Sequence, residues 1–564
     1  MNHTIYRLSF LLGTVAAFRG LPAGAQSSPL VPPDPVEETQ PSLPERFEPL
    51  PEPPTPPDEP VELDDELLPP PAPSAVPPIA FFVREIQVEG NTLFQREIAD
   101  LVSLLEGREV TFEELLALRT DITQLYIDNG YISSGAFVPT NQVLDDGIVQ
   151  VQVVEGDIEA LQINGLGHLR DRYVRDRLTR AIAAPLNVRR LEEALQLLQI
   201  DPLLQSVDAE LTAGTGPGQS ILILDLAEAD PFFASLGANN YRSPSIGSLQ
   251  GTASVNHLNV LGFGDRFSAS YDLTEGLDTF DINYAVPVNG LDGTVQISYQ
   301  RSDSQIVDAQ FRDAGIRSNS DTLSLSFRQP LTRSLTNEFA LSLGFDLRES
   351  RSFILDDIPF SFSVGPEEGV SKVRAVRFAQ DWVNRDVNTV LAARSQFSLG
   401  LDIFDATVND TGTDGQFFSW LGQFQWVEQF SPDTLLVTRV NAQLTPDSLL
   451  PLERFSVGGV DTVRGYAQNQ IVTDNAITAS TELRLPLAAD LQLTPFIDVG
   501  GGWNNRPPNP DPSFLAGLGL GLRWQPLDTV SLRLDYGIPL ISPGAEGNSL
   551  QENGFYFSLN IRPF

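Results

Sequence analysis

The chain has 564 residues, 36 basic against 74 acidic side chains, a net charge of −38 and no cysteine. This length exceeds one ordinary domain, and a polyanion of this kind would be repelled by phosphates, which argues against a nucleic-acid partner. The absence of cysteine excludes disulfides and thiolate sites, and His3, His168 and His257 lack metal-ligand spacing.

The first 80 residues indicate export followed by a linker. Arg7, the apolar run "LSFLLGTVAAF" and the "AGA" at 23–25 predict a signal peptide over residues 1–25. No later segment offers about 18 consecutive apolar residues, so we expect no membrane-spanning helix. Residues 27–80 hold 19 prolines, 12 acidic residues and one basic residue. Such a composition predicts a Pro-rich, acidic, disordered linker over residues 26–80, with no convincing helix.

Two small α/β units are predicted next. Over 81–156, "FFVREIQVEG" indicates a strand, and two helical segments and two alternating strands follow. The second helix begins with a capping-box pattern, Thr111 with Glu114, and stops at Gly130. Residues 157–230 repeat the β-α-α-β-β order.

Residues 231–564 consist of short alternating segments separated by turn residues, which a soluble β-sandwich would also show. The polar faces, however, carry charges in the middle of strands, where a dry sandwich core would make them very costly. A barrel with a watery lumen and lipid outside tolerates these charges, which include Asp498, Arg523, Arg533 and Asp535. At about 21 residues per strand and turn, this segment predicts an all-β transmembrane barrel of about sixteen antiparallel strands.

The whole arrangement resembles the transporter subunit of two-partner secretion, the haemolysin secretion/activation family of ShlB/FhaC/HecB type, within the superfamily that includes BamA. Its most specific matches are "VRGY" at 463–466 and "FIDVG" at 496–500. The first α/β unit also resembles the family's first POTRA unit, at Gly130, Tyr131, Pro139, Glu155 and Gly156.

The resemblance implies that a long extracellular loop turns into the barrel and carries "VRGY" at its tip. It also implies that Arg464 pairs with Asp498 on the inner wall, which we call the lumen-loop lock. Val463, Gly465 and Tyr466 would belong to the loop motif, and Phe496 and Gly500 to the strand motif. The period of two independently places Asp498 on the lumenal face, and a guanidinium suits a carboxylate.

The implied function is passage of an unfolded exoprotein, caught by the POTRA units in the periplasm, through a pore in a Gram-negative-type outer membrane. The expected partners are that exoprotein, outer-membrane lipid and the assembly machinery that inserts the barrel. Two alternatives stay open: an insertase for outer-membrane proteins, like BamA or TamA, and a small-solute porin. We expect no cofactor and no enzymatic activity, because no G-x-S-x-G elbow, H-E-x-x-H or nucleotide-binding fingerprint is evident.

Overall fold

The computed structural model describes residues 32–40, 80–140, 142, 146–543 and 547–563. The predicted signal peptide and most of the predicted linker lie outside these residues. Within the described residues, no α-helix is long and apolar enough to cross a membrane.

The first α/β unit is built from five short strands and two helices. In chain order they are β1 (Ala80–Val83), β2 (Glu85–Glu89), a helix at Gln95–Ser103, β3 (Arg108–Thr111), a helix at Phe112–Asp128, β4 (Gly135–Phe137) and β5 (Ile148–Val154). Strand β5 pairs with β2 in parallel and with β4 antiparallel. The predicted first strand is divided at Arg84, because β1 pairs with β3 in a separate ribbon that the sequence pattern did not reveal. The capping box at Thr111 is present, and Gly130 has a φ of 88°.

The second unit has the expected β-α-α-β-β order. It comprises β6 (Asp157–Asn164), helices at Asp171–Leu178 and Val188–Gln199, β7 (Leu204–Ala213) and β8 (Gln219–Glu228). Strand β8 lies between β6 and β7. Both helices bury apolar faces against this sheet, and residues such as Val174, Leu191 and Leu195 are fully buried.

The remainder of the chain forms a closed barrel of long antiparallel strands, with short strands in its loops. In chain order the strands are β9 (Phe232–Asn239), β10 (Gln250–Leu258), β11 (Arg266–Leu273), β12 (Leu277–Pro287), β13 (Thr294–Gln305), β14 (Arg317–Arg333), β15 (Asn337–Ile354), β16 (Ile358–Pro359), β17 (Val370–Arg385), β18 (Thr389–Gly400), β19 (Thr413–Asp414), β20 (Phe418–Ser431), β21 (Thr434–Leu444), β22 (Ser448–Leu449), β23 (Phe455–Val457), β24 (Ile471–Thr473), β25 (Asn475–Ala488), β26 (Leu491–Trp503), β27 (Phe514–Leu527), β28 (Val530–Pro539) and β29 (Phe555–Ile561). Omitting the five strands of two or three residues leaves sixteen in the wall, and β29 pairs with β9 to close it. The predicted barrel is therefore confirmed.

The two faces of the wall differ as the alternation predicts. Apolar side chains on the outer face stay exposed, as at Leu325 (54%) and Leu520 (55%), because lipid is their solvent. The neighbouring lumenal positions carry buried charges, and Asp498 and Asp535 are 1% and 2% exposed. The barrel interior therefore encloses buried charges as well as small apolar clusters around the inserted loop.

One segment of the predicted linker is ordered inside the barrel, which differs from the expectation of no helix before the first α/β unit. A single helical turn, Pro35–Glu38, begins after Asp34, whose side chain accepts a hydrogen bond from the Val36 amide. Pro35 is tolerated because the first helical position needs no N–H donor. Val36 packs with apolar residues of the barrel, and Glu37 pairs with Arg454 at 2.5 Å. These tertiary contacts stabilise a turn whose local sequence gives little helical signal.

Candidate functional site

A hairpin made by β23 and β24 occupies the barrel, and its tip, residues 458–470, carries the VRGY sequence. The tip turns sharply, because Gly458, Gly459 and Gly465 adopt positive φ values that side-chain-bearing residues rarely tolerate. Val463, Arg464 and Tyr466 are at most 2% exposed. A loop that joins two wall strands, β21 and β25, is therefore folded inward and enclosed.

The structure brings Arg464 and Asp498 together. Arg464 Nε donates to Asp498 Oδ2 at 2.8 Å, and Nη2 donates to Oδ1 at 3.0 Å. The Arg464 backbone N–H adds a third bond to Oδ2, at 3.1 Å. The planar guanidinium thus engages both carboxylate oxygens, a geometry that lysine cannot reproduce.

Two further acids approach the same guanidinium: sequence reasoning placed Asp535 on a lumenal face without assigning it to Arg464, and it did not single out Glu482. Arg464 Nη1 lies 2.9 Å from Glu482 Oε2 and 3.5 Å from Asp535 Oδ1. Glu482 is on β25 and Asp535 on β28, so three wall strands contribute one carboxylate each. Both acids occupy lumenal positions of their strands. The alternation of apolar and polar residues along each strand was therefore the sequence signal that could have indicated them. The sequence alone did not show which lumenal acids surround the loop.

Arginines of the wall compensate this acidic cluster. Glu482 lies within 3.2–3.4 Å of Arg484, Arg523 and Arg533, and Arg533 also pairs with Asp535 at 2.6 Å. Charges taken out of bulk water need partners of this kind. The loop arginine therefore enters a network of alternating charge rather than a simple pair.

Each residue of the strand motif has a separate geometric role. The Arg464 guanidinium carbon lies 3.4 Å from the centre of the Phe496 ring, a cation–π contact. A Cβ on Gly500 would come within 2.9 Å of Val463 Cγ2, so this glycine permits the close approach of the loop. On β27, a Cβ on Gly517 would lie 2.1 Å from the Arg464 carbonyl oxygen.

The loop tip also contacts the last strand of the barrel. The Gly465 N–H donates to the Tyr556 hydroxyl at 2.9 Å, and that hydroxyl donates to the Tyr466 carbonyl at 2.6 Å. The Tyr466 hydroxyl lies 2.9 Å from the carbonyl oxygens of Ala516 and Ile541. Backbone and side-chain contacts therefore hold the tip in addition to the charge network.

The predicted motif residues of the first α/β unit lie away from the barrel lumen. Glu155 accepts hydrogen bonds from the backbone N–H groups of Thr92 (2.7 Å) and Leu93 (3.0 Å) and from the Tyr126 hydroxyl (2.7 Å). Burial acts to raise the pKa of Glu155, but the hydrogen bonds, chiefly those from Thr92 and Tyr126, hold it below its ordinary value. Glu155 therefore secures the loop that precedes the first helix of the unit.

The other motif residues of this unit lie mainly at its junction with the second unit. The Gly130 carbonyl accepts from the Val188 N–H at 2.9 Å, and the Gly156 carbonyl accepts from the Leu186 N–H at 2.8 Å. The Tyr131 ring packs edge-on against its aromatic neighbours. The Pro139 carbonyl accepts a hydrogen bond from the Gln142 side chain at 3.1 Å. Gly130 and Gly156 thus help to set how the two units meet.

Comparison with known proteins agrees with this architecture. Residues 218–524 match the family described as haemolysin secretion/activation protein ShlB/FhaC/HecB, and residues 81–156 match the POTRA domain of ShlB type. The outer membrane transporter CdiB of Escherichia coli is 27% identical over 488 residues, which cover 82% of this chain and 79% of the relative. The heme/hemopexin transporter protein HuxB of Haemophilus influenzae is 20% identical over 456 residues, which cover 75% of this chain and 76% of HuxB.

A solved structure of CdiB from Escherichia coli shares the fold, with a TM-score of 0.66 and 24% identity. The match covers 88% of this chain and 93% of that one. The resemblance drawn from the VRGY and FIDVG motifs is confirmed at the level of the family. The chain belongs to the ShlB/FhaC/HecB family of two-partner secretion transporters, outer-membrane barrels with periplasmic POTRA units that act with a secreted exoprotein.

Proposed function

We propose that this barrel passes an unfolded exoprotein from the periplasm to the cell surface, and that the Arg464–Asp498 contact controls the path. The observation that carries the proposal is the inward loop, whose arginine is almost fully buried among three carboxylates of the wall. A loop held in the lumen obstructs a chain in transit, so its position must influence passage. The same lumen would conduct small ions when the loop and the N-terminal turn move aside, a porin-like activity.

Recognition of the exoprotein is assigned to the POTRA units. In the second unit the ten-residue strand β7 pairs with β8 alone among the described strands, which leaves its other edge open. An extended chain could add to such an edge through backbone hydrogen bonds, with little demand on its sequence. This suits an unfolded partner, because an unfolded chain offers its backbone groups freely.

The role of the lumen-loop lock is tested by secretion in a strain that lacks this gene. Arg464→Ala is expected to reduce export strongly, while the barrel still assembles and keeps its folded migration on cold detergent gels. Arg351→Ala is the matched control, since that arginine on β15 has a side chain that is 61% exposed. Normal export by an assembled Arg464→Ala barrel would contradict the proposal.

Recognition is tested by co-purification of exported polypeptides with the wild-type chain, followed by titration of extended peptides from the captured polypeptide. Shifts of β7 amide resonances are expected on binding. Binding that leaves the open edges of the POTRA sheets unperturbed would contradict recognition by strand addition.

A further inference from the structure

The base of the inward loop carries a second buried charge, which the lumen-loop lock does not involve. Glu453 ends a short 3₁₀ turn, Pro451–Glu453, and is 3% exposed. Its Oε1 accepts from Arg348 Nη1 at 2.7 Å and from Arg377 Nη2 at 2.9 Å, and its Oε2 lies 3.1 Å from the same Nη2. Arg348 Nη1 also donates to the Leu452 carbonyl at 2.6 Å.

The contact of Glu453 with its arginines lies on a different part of the wall from the Arg464–Asp498 contact, and its charges are reversed. Arg348 is on β15 and Arg377 on β17, and β18, β20 and β21 separate them from β25. At the tip, a loop arginine meets acids of the wall. At the base, a loop acid meets arginines of the wall. The loop is therefore held at two separate places by complementary charge.

We propose that Glu453, Arg348 and Arg377 are positioning residues that form a second anchor, and that opening of the transport path requires release of this anchor as well as the tip. The inference rests on the proposed function, but it concerns residues and a part of the wall that the lumen-loop lock does not use. The two anchors together fix the course of the loop inside the barrel.

An ionic anchor suits a contact that must be broken repeatedly. Bringing these charges out of water costs nearly as much as their mutual attraction returns, so the pair specifies position with little net stabilisation. An apolar anchor would lose its full burial energy on release into a watery lumen. The released carboxylate and guanidinium groups, in contrast, are readily solvated.

The N-terminal turn rests on the same part of the loop. Gln40 Nε2 donates to the Pro451 carbonyl at 2.5 Å, and Val36 packs in one apolar cluster with Leu450 and Leu452. Displacement of the second anchor would therefore disturb the contacts that hold this turn in the lumen. Both obstructions in the lumen depend on the position of residues 450–453.

The test is ion conductance of the full-length protein in planar lipid bilayers, without any exoprotein. Glu453→Gln keeps the shape and removes the charge, and we expect the ratio of open to closed time to rise about tenfold or more, the order expected when charge-assisted hydrogen bonds are lost. Arg348→Gln should act in the same direction. Glu349→Gln is the control, because this acid on β15 pairs with Arg351 at 2.7 Å and with Arg374 at 4.0 Å, both on the wall and not on the loop.

Charge reversal separates an anchor from a general packing effect. Glu453→Arg should open the barrel further, and Glu453→Arg with Arg348→Glu should restore part of the closed time, because Arg377 still faces position 453. Wild-type gating in assembled Glu453→Gln and Arg348→Gln barrels, or no recovery in the reversed pair, would overturn the second anchor. Because no exoprotein is present, this result is independent of secretion, and failure of the proposed function would appear only in the export assay.

Discussion

Removal of the Arg464 side chain should destabilise the barrel more than removal of the charge on Asp498. Asp498 is 1% exposed in the wild-type barrel, and Arg464→Ala would leave it with only part of its donor set, including the Ser480 hydroxyl, which donates at 2.6 Å. Leaving a buried carboxylate without its cation costs about 3–5 kcal/mol. Glu482 loses one contact but keeps its arginines on the wall.

Asp498→Asn should cost less, because Arg464 keeps Glu482 at 2.9 Å and Asp535 at 3.5 Å. The loss should be about 1.5–3 kcal/mol, the value of a hydrogen bond to a charged group. The double variant, Arg464→Ala with Asp498→Asn, leaves no buried charge at position 498. Its cost should therefore fall below the sum of the single variants by about 1–3 kcal/mol.

Unfolding by guanidinium chloride in lipid vesicles measures the free energies of these single and double variants, and tryptophan fluorescence reports on the barrel alone. All five tryptophans lie on wall strands, namely Trp382, Trp420, Trp426, Trp503 and Trp524. The exposed Arg351→Ala control should change the free energy of unfolding by less than about 0.5 kcal/mol. Strict additivity of the two single variants, or an Asp498→Asn cost equal to that of Arg464→Ala, would refute the coupling.

Three further outcomes are expected. Tyr556→Phe removes a buried hydroxyl that accepts from one backbone group and donates to another, so unfolding measured by tryptophan fluorescence should show a loss of about 1–3 kcal/mol. The depressed pKa of Glu155 contributes stability that is fully present above the ordinary glutamate pKa of 4.5 and is lost as pH falls through the folded pKa. Glu155→Gln should therefore reduce the loss of stability at acid pH, measured by unfolding followed by far-UV circular dichroism. Burial raises the pKa values of Glu37 and Glu38 to about 7, and Arg454 offsets this only in part at Glu37, so docking of the N-terminal turn should weaken as pH rises from about 4.5 to 7 and change little above. A thiol placed at Val36 should then be labelled faster at pH 7.5 than at pH 5, relative to a thiol at the 87% exposed Val387; a constant ratio would contradict this.

The barrel could be predicted because its alternation is a property of single strands. The lipid-facing and lumenal sets in "LQLTPFIDVGGGW" follow from the period of two, and the structure places Ile497 outside and Asp498 inside. The division at Arg84 could not be predicted, since it depends on which distant strands β1 and β2 pair with. Tertiary pairing decided a boundary that local periodicity leaves open.

The partners of Arg464 likewise could be predicted from the sequence only in part. Asp498 was found because a family motif marks it, while Glu482 and Asp535 are two of many lumenal acids in a chain with 74 acidic residues. Only the cross-strand register brings them to one point: Glu482 lies opposite Phe496 on the neighbouring strand. The ordered turn at Pro35–Glu38 was missed because its stability comes from Arg454 and the loop, more than four hundred residues away.

The contact between Gly465 and Tyr556 links the loop tip to β29, the strand that pairs with β9 and closes the barrel. A polypeptide that is truncated before Tyr556 lacks both hydrogen bonds. The tip can reach its final seat only after β29 has joined the wall. A wall that still lacks β29 therefore cannot hold the loop tip in this position, because it has no Tyr556 to bond Gly465 and Tyr466.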